Sequence, residues 1–437
     1  MSERAARSKL LPSALCLLLA CSGAARTQTQ ETPAETPPRL RREFGSSLER
    51  LKWDAEQKRA FEVAPARARG EAGGDEEDEV VRVETSLVVC DVLVLNAKGD
   101  AVVGLKREDF IVTEDGKPQE VGMFSLGDGA NVPRSIVLVI DYSGSMRPFI
   151  ENSVEAAKTL VDKLAPRDRM AIVTDDVELL ADFTRDKALL KQKLDGLRQQ
   201  MAPSTEFEHG RYGRSRQYSA LMATLRELFG EEDMRPVVIF QTDGDELEAL
   251  RNSPAPSYEP PAPPGVSPEQ LQALRARREA ARPQFGLADV LRQAERSRAT
   301  VYTVIPGVQL IGVKPGEERE KQKALRDALG WRAYRPSRAL SDALERTAGM
   351  MQLEQTALYG LSKLTGGWTS FLEKPSQAAG IYANIFADVN QRYVVGFYPA
   401  NRERDGKRRR VQIEVRDHPE YTVWGRKSYY APEPQVK

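Results

Sequence analysis

Apolar positions along the chain follow two periods, and these predict two kinds of element. Between residues 134 and about 305, strand-like runs alternate with amphipathic segments. Ser135–Ile140 (SIVLVI) is continuously apolar, as expected of a strand covered on both faces. Pro236–Thr242 and Thr300–Ile305 read as further central strands, and Met170–Val173 and Val177–Leu180 as two more. Between them, Val154, Ala157, Leu160, Val161 and Leu164 recur at helical spacing, as do Leu190, Leu194 and Leu197. Ser219–Phe229 and Leu287–Ser297 read as helices. Such alternation predicts an α/β fold: a doubly wound, mostly parallel sheet with helices on both sides.

The flanks have the other period. Val80–Leu95 reads as a long strand leading into the turn Asn96–Asp100. A second β stretch surrounds Asp115-Gly116, a tight hairpin signal because Gly accepts positive φ. Gln119–Leu126 is the expected return strand. After residue 390 come Arg392–Tyr398, Val411–Val415 and Tyr421–Trp424, with a solvated hairpin tip near Asp405-Gly406. Each β piece is too short for an independent sandwich and needs strands from elsewhere. Two inserts lie between the flanks. Ser253–Pro268 is dense in proline and is followed by a charged helix, Glu269–Ala281; Val313–Ala343 is polar. Helices at Leu353–Leu364 and Ala378–Val389 bracket a short edge strand, Trp368–Leu372. The resulting division is 80–130 and 391–432 as two β halves around a unit at 131–390, with inserts near 246–285 and 313–343.

The amino terminus changes the picture in a different way. Arg4, Arg7 and Lys9 precede the apolar run Leu10–Ala20, and small residues follow from Cys21 to Ala25. This is the pattern of a signal peptide over 1–25, and the run is short for a membrane span. Leu18-Leu19-Ala20-Cys21 also resembles a lipobox, so a lipid anchor at Cys21 and free export both stand. Export places the protein in the periplasm, cell envelope or medium. Residues 26–79, rich in Thr, Pro, Arg, Glu and Gly, read as a disordered linker with a short helix near Leu48–Phe61.

Sixty-four Lys plus Arg balance sixty-four Asp plus Glu. Zero net charge argues against a nucleic-acid binder. With two His and three Cys, the chain has little material for His-based catalysis or a disulfide framework. Cys90 reads as a small core residue.

Candidate chemistry sits in Asp141-Tyr142-Ser143-Gly144-Ser145, directly after SIVLVI and before a helix. The carboxyl edge of parallel strands is where open α/β sheets place ligands. One Asp and two Ser spaced by two can turn three oxygens to one point, with Gly144 permitting the turn. Hydroxyls with few carboxylates suit a hard cation such as Mg²⁺. By itself this string is equally a helix N-cap turn. Asp243 closes another central strand and is expected at the same edge. Ser219, at the start of the intervening helix, offers a further hydroxyl or a plain N-cap.

These residues resemble the von Willebrand factor type A (vWA) domain with its metal-ion-dependent adhesion site. Asp141, Ser143 and Ser145 match its D-x-S-x-S, and Asp243 matches its later acidic residue. Ser219 falls where the family usually has Thr, with Thr205 as a rival. Val83–Phe124 and the tail from Tyr393 to Tyr430 are similar to exported vWA-related proteins of Acidobacteria and related bacteria. That resemblance implies a Rossmann-like vWA unit inserted in a β-sandwich built from both flanks.

The function implied is divalent-cation-dependent binding of a protein partner that offers an acidic side chain. Mg²⁺, Mn²⁺ or Ca²⁺ would be held by Asp141, Ser143, Ser145, Ser219 and Asp243, with no catalysis and no nucleic acid. Two alternatives remain: a metal-dependent phosphohydrolase, or a structural envelope protein with a decayed metal site. The first would want an acid two residues after the nucleophilic Asp, where Ser143 stands.

Overall fold

The structure is a computed structural model of the 437-residue chain. It describes residues 44–63, 87–126, 133–143, 146–200, 215–230, 235–246, 249–250, 267–280, 282–314, 316–335 and 337–433. The expected signal segment, Cys21, the start of the long strand from Val80, Ser145, Thr205 and most of the proline-rich insert lie outside the described residues.

In chain order, helix α1 (Ser46–Glu49) and strands β1 (Leu51–Asp54) and β2 (Arg59–Glu62) come first. Strands β3 (Val88–Leu95), β4 (Phe110–Glu114), β5 (Lys117–Gln119) and β6 (Val121–Leu126) follow. The central region runs β7 (Arg134–Ile140), α2 (Arg147–Asp162), β8 (Arg169–Thr174), β9 (Leu179–Thr184), α3 (Lys187–Gln200), α4 (Gln217–Glu227) and β10 (Arg235–Gln241). It continues with α5 (Pro268–Ala280), α6 (Leu287–Arg296), β11 (Thr300–Pro306), α7 (Glu318–Ala328), α8 (Arg338–Thr365), β12 (Thr369–Leu372) and α9 (Ala378–Gln391). The tail holds β13 (Tyr393–Phe397), β14 (Arg408–Val415), β15 (Thr422–Trp424) and β16 (Ser428–Tyr430).

Six strands form one sheet in the order β12-β11-β10-β7-β8-β9, parallel except for β9. Strands β7, β10 and β11 are buried along their whole length. Each therefore shows a continuous apolar run rather than alternation. On one face, α2, α3 and α9 bring Val154, Leu160, Leu190, Leu194, Ile381 and Ile385 onto the sheet. On the other, α4, α6 and α8 bring Tyr218, Leu221, Val290, Ala294, Leu358 and Leu361. The expected α/β doubly wound sheet is what the chain forms.

Two four-stranded sheets, β15-β3-β13-β6 and β16-β14-β4-β5, pack over a second core. Strands β3 to β6 precede the central unit and β13 to β16 follow it, so the sandwich is completed by chain segments about 270 residues apart. In β14 the burial alternates strictly, with Arg409, Val411, Ile413 and Val415 inward. Phe110 of one sheet meets Tyr393 of the other at 5.2 Å between ring centroids. The return strand expected over Gln119–Leu126 is split. Lys117–Gln119 closes the hairpin on β4, whereas Val121–Leu126 crosses to pair with β13, because Val121 belongs to the shared core.

The sandwich is joined to the large sheet by buried charge. Arg235, at the start of β10, bonds Asp91 of β3 at 2.9 Å and the Val389 carbonyl at 3.0 Å. Arg392 bonds Asp388 and the Asp91 carbonyl, and Arg426 caps carbonyls at the end of α6, including that of Glu295.

Residues 44–63, expected within a linker and partly as a helix, are instead one turn of helix and a β-hairpin. Leu51 is buried in the core beside α4, with Phe44 and Leu48 packed nearby. The Gly45 and Ser47 amides donate to Glu227, and Ala60 N donates to Asp289 Oδ1 at 3.1 Å. These contacts are made with residues more than 150 positions away, which local composition does not report. The insert at 313–343 is solvated, as its polar composition implies, and it holds α7 and the exposed start of the 28-residue α8. Among the described residues no helix is long and apolar enough to cross a membrane.

Candidate functional site

Strands β7 and β10 are parallel neighbours in a register that sets Ile140 opposite Gln241. Their carboxyl ends therefore release Asp141 and Thr242 side by side. Asp141 N still bonds the Gln241 carbonyl at 3.0 Å, and Thr242 N bonds that of Val304 at 3.1 Å. The two acidic loops thus begin at one rim, where the sequence places them.

Asp141 is buried and firmly held. Its Oδ1 accepts from Ser143 N at 2.9 Å. Its Oδ2 accepts from Thr242 Oγ1 at 2.9 Å and from Gln217 Nε2 at 3.1 Å. A carboxylate has about four acceptor positions, and these three bonds leave one, on Oδ1. Tyr142 N donates to Asp175 Oδ1 at 3.2 Å, and Ser215 Oγ donates to Asp175 Oδ2 at 3.0 Å. The loop after β8 thereby ties the Asp141 loop to the approach of α4.

Asp243 lies in the second loop. Its Oδ1 receives Asp245 N at 3.4 Å. Gly244 has φ of +82°, and a Cβ there would meet Leu358 Cδ1 at 3.0 Å, so this turn requires glycine. Thr242 Oγ1 accepts from Gly244 N at 2.9 Å and donates to Asp141 Oδ2 at 2.9 Å. Asp245 then reaches back to the amide of Gln217, which bridges it to Asp141.

The Ser219 hydroxyl is taken up by Glu246. Helix α4 begins at Gln217, so Ser219 is its third residue and lies inside the first turn. Its hydroxyl donates to Glu246 Oε1 at 2.7 Å, and its backbone N to Glu246 Oε2 at 3.1 Å. The hydroxyl is turned under the rim, toward the carboxylate that caps the helix. Ser145 and Thr205 lie outside the described residues. The structure therefore brings together Asp141, Ser143 and the Asp243 loop, and commits the Ser219 hydroxyl to Glu246 of that loop.

Three residues that the sequence reading passed over belong here: Gln217, Thr242 and Asp245. Thr242 and Asp245 flank Asp243 within one loop and were legible by adjacency. Gln217 was hidden because the helix was expected to start two residues later.

The electrostatics are those of crowded carboxylates. Burial pushes the Glu246 carboxyl up to about 7, against the pull of its bonds from Ser219. Burial and the Asp243 charge raise Glu354 to about 7. Asp245 is also raised to about 7, by burial and then by Asp141. Asp245 has a solvent-exposed side, where screening weakens that repulsion. Tyr218 lies in the same field, fully buried, its acidity suppressed by burial and by Glu246.

Among the described residues no group of three or more His, Cys, Asp and Glu side chains is placed to hold a metal ion. What stands at the rim is a set of carboxylate and hydroxyl oxygens bridged by the Gln217 amide, with one acceptor position on Asp141 left open among the described residues. That set fits a hard cation bound incompletely by the protein. His418 is remote from it, in the turn between β14 and β15, stacked on Tyr421 at 4.4 Å.

A sequence profile of the von Willebrand factor type A domain matches residues 136–246. No curated protein sequence matches the chain. Among solved structures, the chain is similar to conserved hypothetical protein BatB from Bacteroides thetaiotaomicron: 14% identity, TM-score 0.32, covering 58% of this chain and 98% of that one. It is similar to the vWF domain of the type V pili tip protein Mfa5 from Porphyromonas gingivalis: 16% identity, TM-score 0.30, covering 59% and 95%. It is also similar to the manganese-loaded Plasmodium vivax TRAP protein: 12% identity, TM-score 0.25, covering 73% and 98%. The profile begins in β7 and ends in the loop of Asp243 and Glu246, so it spans both acidic loops of the rim. A von Willebrand factor type A domain is present in this chain.

Proposed function

We propose that this is an exported vWA protein that binds a protein partner through a divalent cation held at the carboxyl edge of the large sheet. The observation that carries the reading is the convergence of the Asp141 and Thr242–Glu246 loops on one rim, where carboxylate and hydroxyl oxygens meet. Asp141, Ser143 and Asp243 would hold the cation, with Ser145 as the further hydroxyl of the D-x-S-x-S string. When bound, the cation supplies an electrophilic position for an acidic side chain of the partner. The chain's own part is to keep Asp141 fixed. Thr242 pins one oxygen and Ser143 N orients the other, so a carboxylate arrives in place with little reordering. Because protein donors are few, the site stays incomplete without its partner.

The signal-like amino terminus and the sandwich halves support export to the periplasm, envelope or medium, and kinship with the exported vWA-related proteins of Acidobacteria. A lipid at Cys21 would be the membrane link. The test is capture of envelope proteins with and without EDTA, comparing wild type with Asp141→Ala. Capture should need Mg²⁺ or Mn²⁺ and vanish in a folded Asp141→Ala protein. Equal capture by the variant, or indifference to EDTA, refutes the reading.

A further inference from the structure

Gln217 opens α4 and is fully buried. Its Nε2 donates to Asp141 Oδ2 at 3.1 Å and to Asp245 Oδ1. Both N–H donors of the amide are directed at carboxylates. Its Oε1 is also buried and has no hydrogen-bond partner among the described residues. A buried acceptor left in that state costs about 1–3 kcal/mol. The reversed amide would be worse, since it would aim its oxygen at two carboxylate oxygens. The arrangement is thus the best available to an amide that must hold two acids apart by itself, and it leaves a carbonyl oxygen over.

We infer that Gln217 is an exchangeable ligand of the rim: its amide nitrogen bridges Asp141 and Asp245 in the cation-free protein, and its Oε1 turns inward as a donor when a divalent cation is held. This rests on the proposed cation-binding reading. The exchange needs only rotation of the terminal amide, a torsion that is broad and roughly two-fold. The backbone need not move, because Glu246 holds the Tyr218 and Ser219 amides that follow Gln217. A neutral carbonyl oxygen suits Mg²⁺ or Mn²⁺. It also adds a donor without adding charge, so the site keeps its appetite for a partner's carboxylate. The position falls to Gln217 because the hydroxyl of Ser219, one residue beyond Tyr218, is committed to Glu246.

The test is calorimetric titration of Mg²⁺ and Mn²⁺ into wild type, Gln217→Leu and Gln217→Glu, alongside the side-chain amide NMR signal of Gln217. Wild type should bind, Gln217→Leu should bind roughly tenfold or more weakly, and Gln217→Glu should recover the loss by restoring an oxygen. The Gln217 amide signal, assigned by its disappearance in the Leu variant, should shift on Mg²⁺ addition. Equal affinity in wild type and folded Gln217→Leu, or an amide signal unmoved at saturation, overturns the role of Gln217 and leaves the cation site standing. No binding by wild type overturns both. Should Gln217→Leu fail to fold, the wild-type amide signal, assigned by its disappearance in Gln217→Glu, decides.

Discussion

Glu246 acts as a helix cap supplied from another loop, and its replacement gives a two-sided test. Helix α4 opens with N–H groups that have no partner within the helix, and Arg216 offers them no side-chain cap. Glu246 Oε2 accepts from Tyr218 N at 2.6 Å and Ser219 N at 3.1 Å, and Oε1 from Ser219 Oγ at 2.7 Å. Glu246→Ala removes three contacts worth about 1 kcal/mol or more each, roughly 3–5 kcal/mol in all. It also releases the penalty of burying the acid. With its pKa raised from 4.5 to about 7, that penalty is on the order of 3 kcal/mol at pH 8. The net is a loss of up to about 2 kcal/mol, within the range of an N-cap deletion. Glu246→Gln keeps an acceptor for the two N–H groups and buries no charge, so at pH 8 it should match or exceed wild type. The sign in pH follows from the raised value. The wild-type protein is unpenalised below about pH 4.5 and loses stability as pH rises toward 7, after which the loss is complete. Thermal unfolding followed by circular dichroism in EDTA, at pH 5 and pH 8, reads these differences. Glu246→Ala should melt a few degrees below wild type at pH 8. An Ala variant melting at or above wild type, with Gln melting below it, refutes the capping argument.

Glu354→Gln should flatten the remaining pH dependence of the cation-free protein. The Glu354 carboxyl is raised to about 7 by burial and by Asp243, so stability is lost between about pH 4.5 and 7 in wild type and not in the variant; equal slopes in EDTA would refute this. Arg235→Met should cost roughly 3–5 kcal/mol by stranding buried Asp91, whereas Arg235→Met with Asp91→Leu should recover most of it. Denaturant midpoints for the two single variants and the double variant measure the coupling, and strict additivity would show that the pair does not join the sheets.

How much of this was legible depends on the range of the interactions. Strands β7, β10 and β11 were readable because burial on both faces writes itself locally as an apolar run. The two sandwich halves were readable as incomplete. The hairpin at 51–62 was not, since Leu51, Phe44 and Leu48 are few apolar positions in a charged stretch, and their partners lie on α4 and α6. The split of Gln119–Leu126 was hidden for a similar reason. An alternating strand looks the same whichever sheet it joins.

At the rim the division is sharper. Asp141, Ser143 and Asp243 could be named from the chain, because a strand's end places the next residue at the sheet edge whatever surrounds it. The destination of Ser219 could not. A hydroxyl near a helix start points to the loop or beneath it according to which residue opens the first turn, and that was decided by Glu246 capping from a different loop. Gln217 reaches Asp141 across 76 positions and Asp245 across 28. Element type and order follow from periods a few residues long, so the sequence determined them. Which oxygens meet depends on the register of β7 against β10 and on where α4 begins, and only the packed tertiary structure sets both.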